Sequence, residues 1–284
     1  MLAKYKEQSK IIKVDKLGSD IYSMWLQTEQ IAEETKAGQF VSVYCKEGSR
    51  LLPRPISICE IDKAKRQIRL VYRIAGKGTE EFALMQAGET LEILGPLGNG
   101  FPLERLTEGK TAMLIGGGIG IPPMVELAKA LHAKVLHAKK LHTKDLHTKV
   151  LHTEVLQEKQ RVVLGYRDEL FLTKELEAHA NVTVATEDGS VGTKGNVLDA
   201  IRETGLKADI IYACGPTPML RALKEYAEEN KIECWLSLEE RMACGIGACL
   251  ACVCQSKEVD EHTNVTNKRV CKEGPVFLST EVVL

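Results

Sequence analysis

Between residues 10 and 100 the apolar side chains come in short bursts. Ile11–Val14, Ile21–Leu26, Phe40–Val43, Ile56–Ile58 and Gln67–Tyr72 are rich in β-branched and aromatic residues, with polar residues at alternate positions. That period belongs to half-buried strands, and the turns between them predict an antiparallel barrel. After Thr111 the pattern changes. Apolar runs at Thr111–Ile115, Arg161–Tyr166, Val182–Ala185 and Asp209–Ala213 alternate with helical stretches at 172–179, 196–204 and 217–229. Strand–helix alternation of this kind predicts a parallel sheet covered by helices on both faces.

One stretch fits neither pattern. Residues 131–155 are five copies of a five-residue unit beginning Leu-His. A step of five turns a helix by about 140°, so neither Leu nor His builds one stripe. The unit reads as an extension of the helix that begins near Pro122, projecting up to about 38 Å if wholly helical. His132, His137, His142, His147 and His152 lack the spacing of three or four that pairs metal ligands on a helix. A tolerated surface insertion at 131–156 is therefore expected.

The chemistry concentrates at the C-terminal end. Arg241-Met-Ala-Cys244-Gly-Ile-Gly-Ala-Cys249-Leu-Ala-Cys252-Val-Cys254 contains Cys-x4-Cys-x2-Cys, and Cys271 follows. Those are plant-type spacings for a 2Fe–2S cluster. Gly245, Gly247, Ala248 and Ala251 let the backbone wrap closely and aim N–H groups at sulfur. Structural zinc sites more often show two Cys-x2–4-Cys pairs, and disulfides suit small secreted chains. The expected ligands are Cys244, Cys249, Cys252 and Cys271, with Cys254 a buried neighbour and the alternative fourth ligand.

Two further groups suit nucleotides. Arg54-Pro55-Ile56-Ser57 offers a planar cation to a flavin pyrophosphate and a hydroxyl to the ring edge. Val71-Tyr72-Arg73 ends a strand before a helix whose N-terminus carries Gly78 and Thr79, a place where free N–H groups favour phosphate. Gly116, Gly117, Gly118 and Gly120 turn a strand into a helix, and Cys214-Gly215-Pro216 follows another strand. Both lie where parallel sheets bind ligands. The ordinary alternatives are a surface arginine beside a turn proline, a core tyrosine and a buried thiol.

Net charge is −1, which gives no reason to expect nucleic acid or an anionic membrane. No apolar run reaches the length of a membrane span. Nine cysteines without a secretory signal predict a reducing compartment, the cytoplasm.

Arg-Pro-Ile-Ser, Val-Tyr-Arg with Gly-Thr, Gly-Pro-Leu-Gly-Asn-Gly-Phe, Gly-Gly-Gly-Ile-Gly-Ile-Pro-Pro, Cys-Gly-Pro-Thr-Pro-Met and the cysteine loop occur in one order. In that order the chain resembles the electron-transfer subunits of class 1B dihydroorotate dehydrogenase, within the ferredoxin-reductase superfamily. Arg269-Val-Cys271-Lys-Glu-Gly-Pro-Val-Phe resembles the same family and favours Cys271 as the fourth ligand. The resemblance implies an FAD barrel (1–104), an NAD-binding α/β domain (105–235) and a 2Fe–2S module (236–284). It implies an FMN-containing catalytic partner in a two-plus-two heterotetramer, and electron flow from FMN through the cluster and FAD to NAD+ in pyrimidine synthesis. No catalytic acid, base or nucleophile is expected in this chain. The rival readings are a small subunit of an NAD(P)H:ferredoxin oxidoreductase or sulfide dehydrogenase, and an iron–sulfur redox sensor without turnover.

Overall fold

The computed structural model describes residues 3–142, 160–259 and 264–284, with 137–142 as backbone only. Six strands form the expected antiparallel barrel: β1 (Tyr5–Lys16), β2 (Ile21–Gln27), β3 (Phe40–Val43), β4 (Arg54–Asp62), β5 (Gln67–Arg73) and β6 (Thr90–Leu97). Their order is β1-β2-β5-β4-β3-β6, and β6 closes the barrel on β1. Closure leaves no free edge. β6 is the strand the pattern does not announce, because Gly95 and Pro96 read as a turn. Ile11, Met24, Val41, Val43, Leu70 and Ile93 fill the barrel. Two short helices decorate it, α1 (Ile31–Glu34) and α2 (Lys77–Leu84).

The second unit is built from β7 (Ala112–Gly117), α3 (Pro122–His142), β8 (Gln160–Tyr166), α4 (Thr173–Glu177), β9 (Ala180–Thr186), β10 (Thr193–Lys194), α5 (Val197–Thr204), β11 (Ile210–Cys214), α6 (Thr217–Asn230) and β12 (Glu233–Ser237). Strands β7 to β12 are parallel, in the order β10-β9-β8-β7-β11-β12. The chain runs outward one way from β7 to β8 and β9, then returns to β11 on the other side. The switch point therefore lies between β7 and β11, where open α/β sheets bind ligands.

The C-terminal segment holds a small antiparallel pair, β13 (Val253–Gln255) and β14 (Asn267–Arg269), then β15 (Val276–Leu278). β15 runs antiparallel beside β12 and adds a seventh strand to the sheet. The segment is thus stitched into the sheet rather than hung from it. One continuous core joins all three units: Phe40 and Leu97 from the barrel, Ile115 and Leu236 from the sheet, and Cys252 and Val270 from the C-terminal segment.

The pentad repeat needs a correction. Its first copy is not a surface insertion. Leu131 is fully buried in the core between α3 and the sheet. The Lys134 Nζ donates to the carbonyl oxygens of Leu103 and Leu106 at 2.7 and 2.8 Å. Five residues on, Leu136 is exposed, as a 140° step requires. The helix does continue from Pro122 into the repeat, through His142. His147, His152 and the rest of 143–159 lie outside the described residues. Leu131→Ala is expected to cost about 2–5 kcal/mol, and Leu136→Ala under about 0.5 kcal/mol. Thermal denaturation of the two variants checks both, and equal losses would contradict the placement.

Candidate functional site

The glycine turn and the Cys214 loop meet at the switch point. Cys214 lies opposite Gly116 in the β11–β7 register. A Cβ on Gly120 would overlap the Cys214 carbonyl and the Gly215 nitrogen, and one on Gly117 would stand 2.5 Å from the Met219 sulfur. Only glycine allows the two loops to touch this closely. Gly118 has φ +52° and nothing within 4 Å of its Cβ position, so its backbone faces open space. The Cys214 thiol is pushed up to about 12 by burial, against a hydrogen bond from Ser237 that lowers it. A thiol held protonated in this way is a poor nucleophile.

On the barrel, Arg54 opens β4 and its side chain crosses to α2. A Cβ on Gly78 would overlap the Arg54 guanidinium, so the cation lies directly against the first turn of this helix. Thr79 Oγ1 accepts from the N–H groups of Ala75 (2.9 Å) and Gly76 (3.3 Å) and donates to the Gly76 carbonyl (3.0 Å). Its hydroxyl is therefore spent on the turn, and what the helix offers a phosphate is backbone N–H plus Arg54. The ring of Tyr72 is taken up by Tyr22, stacked at 6.3 Å, and by the edge of Phe82 at 6.1 Å. Its contribution to a ligand is the hydroxyl, which is buried without a hydrogen-bond partner among the described residues. Pro55 and Ser57 face outward by strand alternation, since Ile56 between them points into the barrel core. Val71 packs against the sheet, and Arg73 pairs with Asp20 at 3.3 Å.

The cysteine loop uses glycines in the left-handed region, Gly245 at φ +68° and Gly247 at φ +85°. This curl turns N–H groups onto sulfur: Ile246 N and Ala248 N donate to Cys244 Sγ at 3.4 and 3.3 Å. Burial raises the Cys244 thiol, but these donors and the neighbouring Cys249 outweigh it and bring it to about 6. A thiolate at neutral pH is what iron binds. Cys252 and Cys271 form a second, buried pair, with Cys271 N donating to Cys252 Sγ at 3.4 Å. Among the described residues no closed group of three candidate ligands forms, but Cys249 neighbours Cys244, and Cys252 and Cys244 both act on Cys271. Cys254 points into the shared core, and burial pushes it up to about 11. Four thiols, with backbone donors already aimed at Cys244 and Cys252, are a donor set that fits a 2Fe–2S cluster.

Two side chains unforeseen in the sequence hold these pieces in register. The Arg269 Nη1 donates to the Gly247 carbonyl at 3.1 Å, while its Nε meets both Glu273 oxygens at 3.0 and 3.1 Å. It clamps the turn of Cys271 to the loop of Cys244 and Cys249. An Arg and a Glu four apart around a cysteine were the available signal. Asn99, at the barrel exit, donates through Nδ2 to the carbonyls of Glu273 (3.0 Å) and Val276 (2.7 Å) and accepts from Val276 N (3.2 Å). A separate cleft of about 580 Å³, lined by Phe101, Leu103, Ala130 and Trp235, contains none of the expected cofactor residues. Arg269→Ala is expected to weaken iron retention roughly 10- to 100-fold, as loss of outer-shell support does. Iron content after chelator challenge reads this, and unchanged retention would remove the clamp from the account.

Comparison with known proteins agrees with this geometry. Residues 239–283 match the iron-sulfur cluster binding domain of dihydroorotate dehydrogenase B, and residues 114–225 match the oxidoreductase NAD-binding domain. The dihydroorotate dehydrogenase B (NAD(+)) electron transfer subunit of Bacillus cereus (strain B4264) is 42% identical, covering 98% of this chain and 99% of its own. Its counterpart in Geobacillus sp. (strain WCH70) is 41% identical with the same coverage. A solved NADH-dependent reduced ferredoxin-NADP oxidoreductase superposes with TM-score 0.78 at 27% identity, over 98% of this chain and 90% of that one. The ferredoxin NADP+ reductase of Neisseria gonorrhoeae, at 19% identity and TM-score 0.56 over 79% of this chain and 91% of its own, shares the fold. The chain belongs to the family of dihydroorotate dehydrogenase B electron-transfer subunits.

Proposed function

We propose that the chain passes electrons from the FMN of a dihydroorotate-oxidising catalytic subunit, through its own 2Fe–2S cluster and FAD, to NAD+ in pyrimidine synthesis. The observation that carries this is the single core shared by the barrel, the sheet and the cysteine loop. In that core Cys252 and Cys271 pack with Phe40 and Leu97 of the barrel and Ile115 and Leu236 of the sheet, which supports cofactors held close together. Residues 1–104, 105–235 and 236–284 are the working units. Bound FAD exchanges single electrons with a cluster and a hydride with a nicotinamide, so it joins the two currencies.

The residues of the chain bind and orient. Arg54, with the N–H groups of Gly78 and Thr79, holds the flavin pyrophosphate. Pro55, Ile56 and Ser57 present one strand to the ring, Tyr72 contributes its hydroxyl, and Val71 and Arg73 fix the strand that carries it. Gly116, Gly117, Gly118 and Gly120, with Cys214, Gly215 and Pro216, give the nicotinamide nucleotide close access to backbone. Cys244, Cys249, Cys252 and Cys271 ligate the cluster, and Cys254 packs behind them. No side chain acts as acid, base or nucleophile, because dihydroorotate meets the partner and not this chain. The catalytic partner sits with it as a heterotetramer of two plus two. The nine free thiols suit a reducing cytoplasm. No helix among the described residues is long and apolar enough to cross a membrane.

A second reading is favoured by one observation, the likeness at 27% identity to an NADH-dependent reduced ferredoxin-NADP oxidoreductase. It makes the chain the small subunit of an NAD(P)H:ferredoxin oxidoreductase. Mixing the purified chain with an FMN dihydroorotate dehydrogenase subunit, dihydroorotate and NAD+ separates the two. Stoichiometric NADH and orotate are expected; no NADH from dihydroorotate, together with reduction of added ferredoxin by NAD(P)H, would favour the second reading. Within the flavin site, Gly78→Ala and Arg54→Ala are each expected to weaken FAD binding roughly 10- to 100-fold. That corresponds to about 1.5–3 kcal/mol for a lost charge-assisted hydrogen bond. Fluorescence titration with FAD checks this, and unchanged affinity in both would take the pyrophosphate away from Arg54.

A further inference from the structure

Ser42 sits where the flavin strand and the cysteine loop meet. In β3, Val41 and Val43 fill the barrel, and Phe40 packs in the core shared with the cysteine segment. Alternation therefore puts Ser42 on the outer face with Phe40. Its cross-strand neighbours are Pro55 on β4 and Leu94 on β6. Pro55 belongs to the flavin strand, next to Arg54. On the other side lies Gly245, whose Cβ position is 2.9 Å from Ser42 Oγ and 3.1 Å from Leu97. Gly245 follows Cys244 directly and has φ +68°. Glycine is needed there twice over, for the left-handed backbone and for the approach to the serine.

Ser42 is fully buried, yet its hydroxyl has no hydrogen-bond partner among the described residues. A buried hydroxyl without a partner is costly, and folded chains seldom keep one without a use. An alanine in this place would fit the same space. Cys244 Sγ already collects two backbone donors from its own loop. Ser42 offers a donor from the barrel side, the side on which the flavin strand lies.

We infer that Ser42 is a positioning residue whose hydroxyl donates to the sulfur of the bound cluster and raises its reduction potential. This rests on the cluster assignment proposed above. A donor to sulfur stabilises the electron-rich reduced state, and such bonds are among the factors that set cluster potentials. Placed between Pro55 and Gly245, the hydroxyl acts on the cluster from the flavin side.

The test uses the full chain with both cofactors bound. Ser42→Ala removes a hydroxyl that bonds nothing among the described residues, so folding and cluster content are expected to be unchanged. The cluster midpoint should move to lower potential while the flavin midpoint stays fixed. Pulsed EPR of the reduced wild type in H2O and D2O should show an exchangeable proton coupling that Ser42→Ala lacks and Ser42→Thr retains. An unmoved cluster midpoint with the same couplings would overturn the inference, and so would a shift confined to the flavin. A wild-type chain with no 2Fe–2S EPR signal would instead overturn the cluster assignment itself.

Discussion

The structure depends on the burial of two residues that a barrel by itself would leave wet. Phe40 and Leu97 lie on the outer side of β3 and β6 and are nearly or fully buried, because the sheet and the cysteine segment cover them. Truncating a buried phenylalanine costs about 3–5 kcal/mol. Here that energy is tied to the relative placement of three units. Cys252, Val270 and Cys271 occupy the same core as Met113, Ile115 and Leu236. The cysteine loop cannot shift without disturbing the sheet, and the barrel cannot rock without exposing Phe40. β15 beside β12, and Asn99 bonded to Glu273 and Val276, reinforce that joint with directional bonds.

On the other face the joint is electrostatic. Arg69 of the barrel is almost wholly buried. It donates through Nε to Ser23 at 2.8 Å and pairs with Glu175 of α4. Glu60 stands 3.6 Å away as a second partner, and such a buried pair fixes geometry more than it adds stability. An apolar seam on one side and an ion pair on the other hold the barrel against the sheet and its switch point. Electron and hydride transfer both need that constancy.

Local patterns were the legible part. β3 was readable to the residue as Phe40–Val43, because four apolar or small residues sit between clear turns. The cysteine loop was readable because ligand spacing is a local property. β6 was hidden by Gly95 and Pro96, which here lie inside a strand. β15 was hidden because three residues carry too little periodicity, and its pairing with β12 is long-range. Ser42 and Asn99 were invisible for the same reason, since each acts on a residue far away in sequence, and so was the reach of Arg269 to Gly247, although its pairing with Glu273 is local. The pentad repeat misled in a different way. Its regular look suggested one inserted block, yet Leu131 completes the core and Leu136 does not.

One shared core joins the units that serve a nicotinamide, a flavin and a cluster. An anaerobic titration of the purified chain with NADH, followed by visible absorption and EPR, tests it most directly. Bleaching of flavin and cluster bands together, with a reduced 2Fe–2S signal growing as NADH is consumed, is the predicted result. A flavin that bleaches while the cluster stays oxidised, or a colourless chain holding zinc, would contradict it.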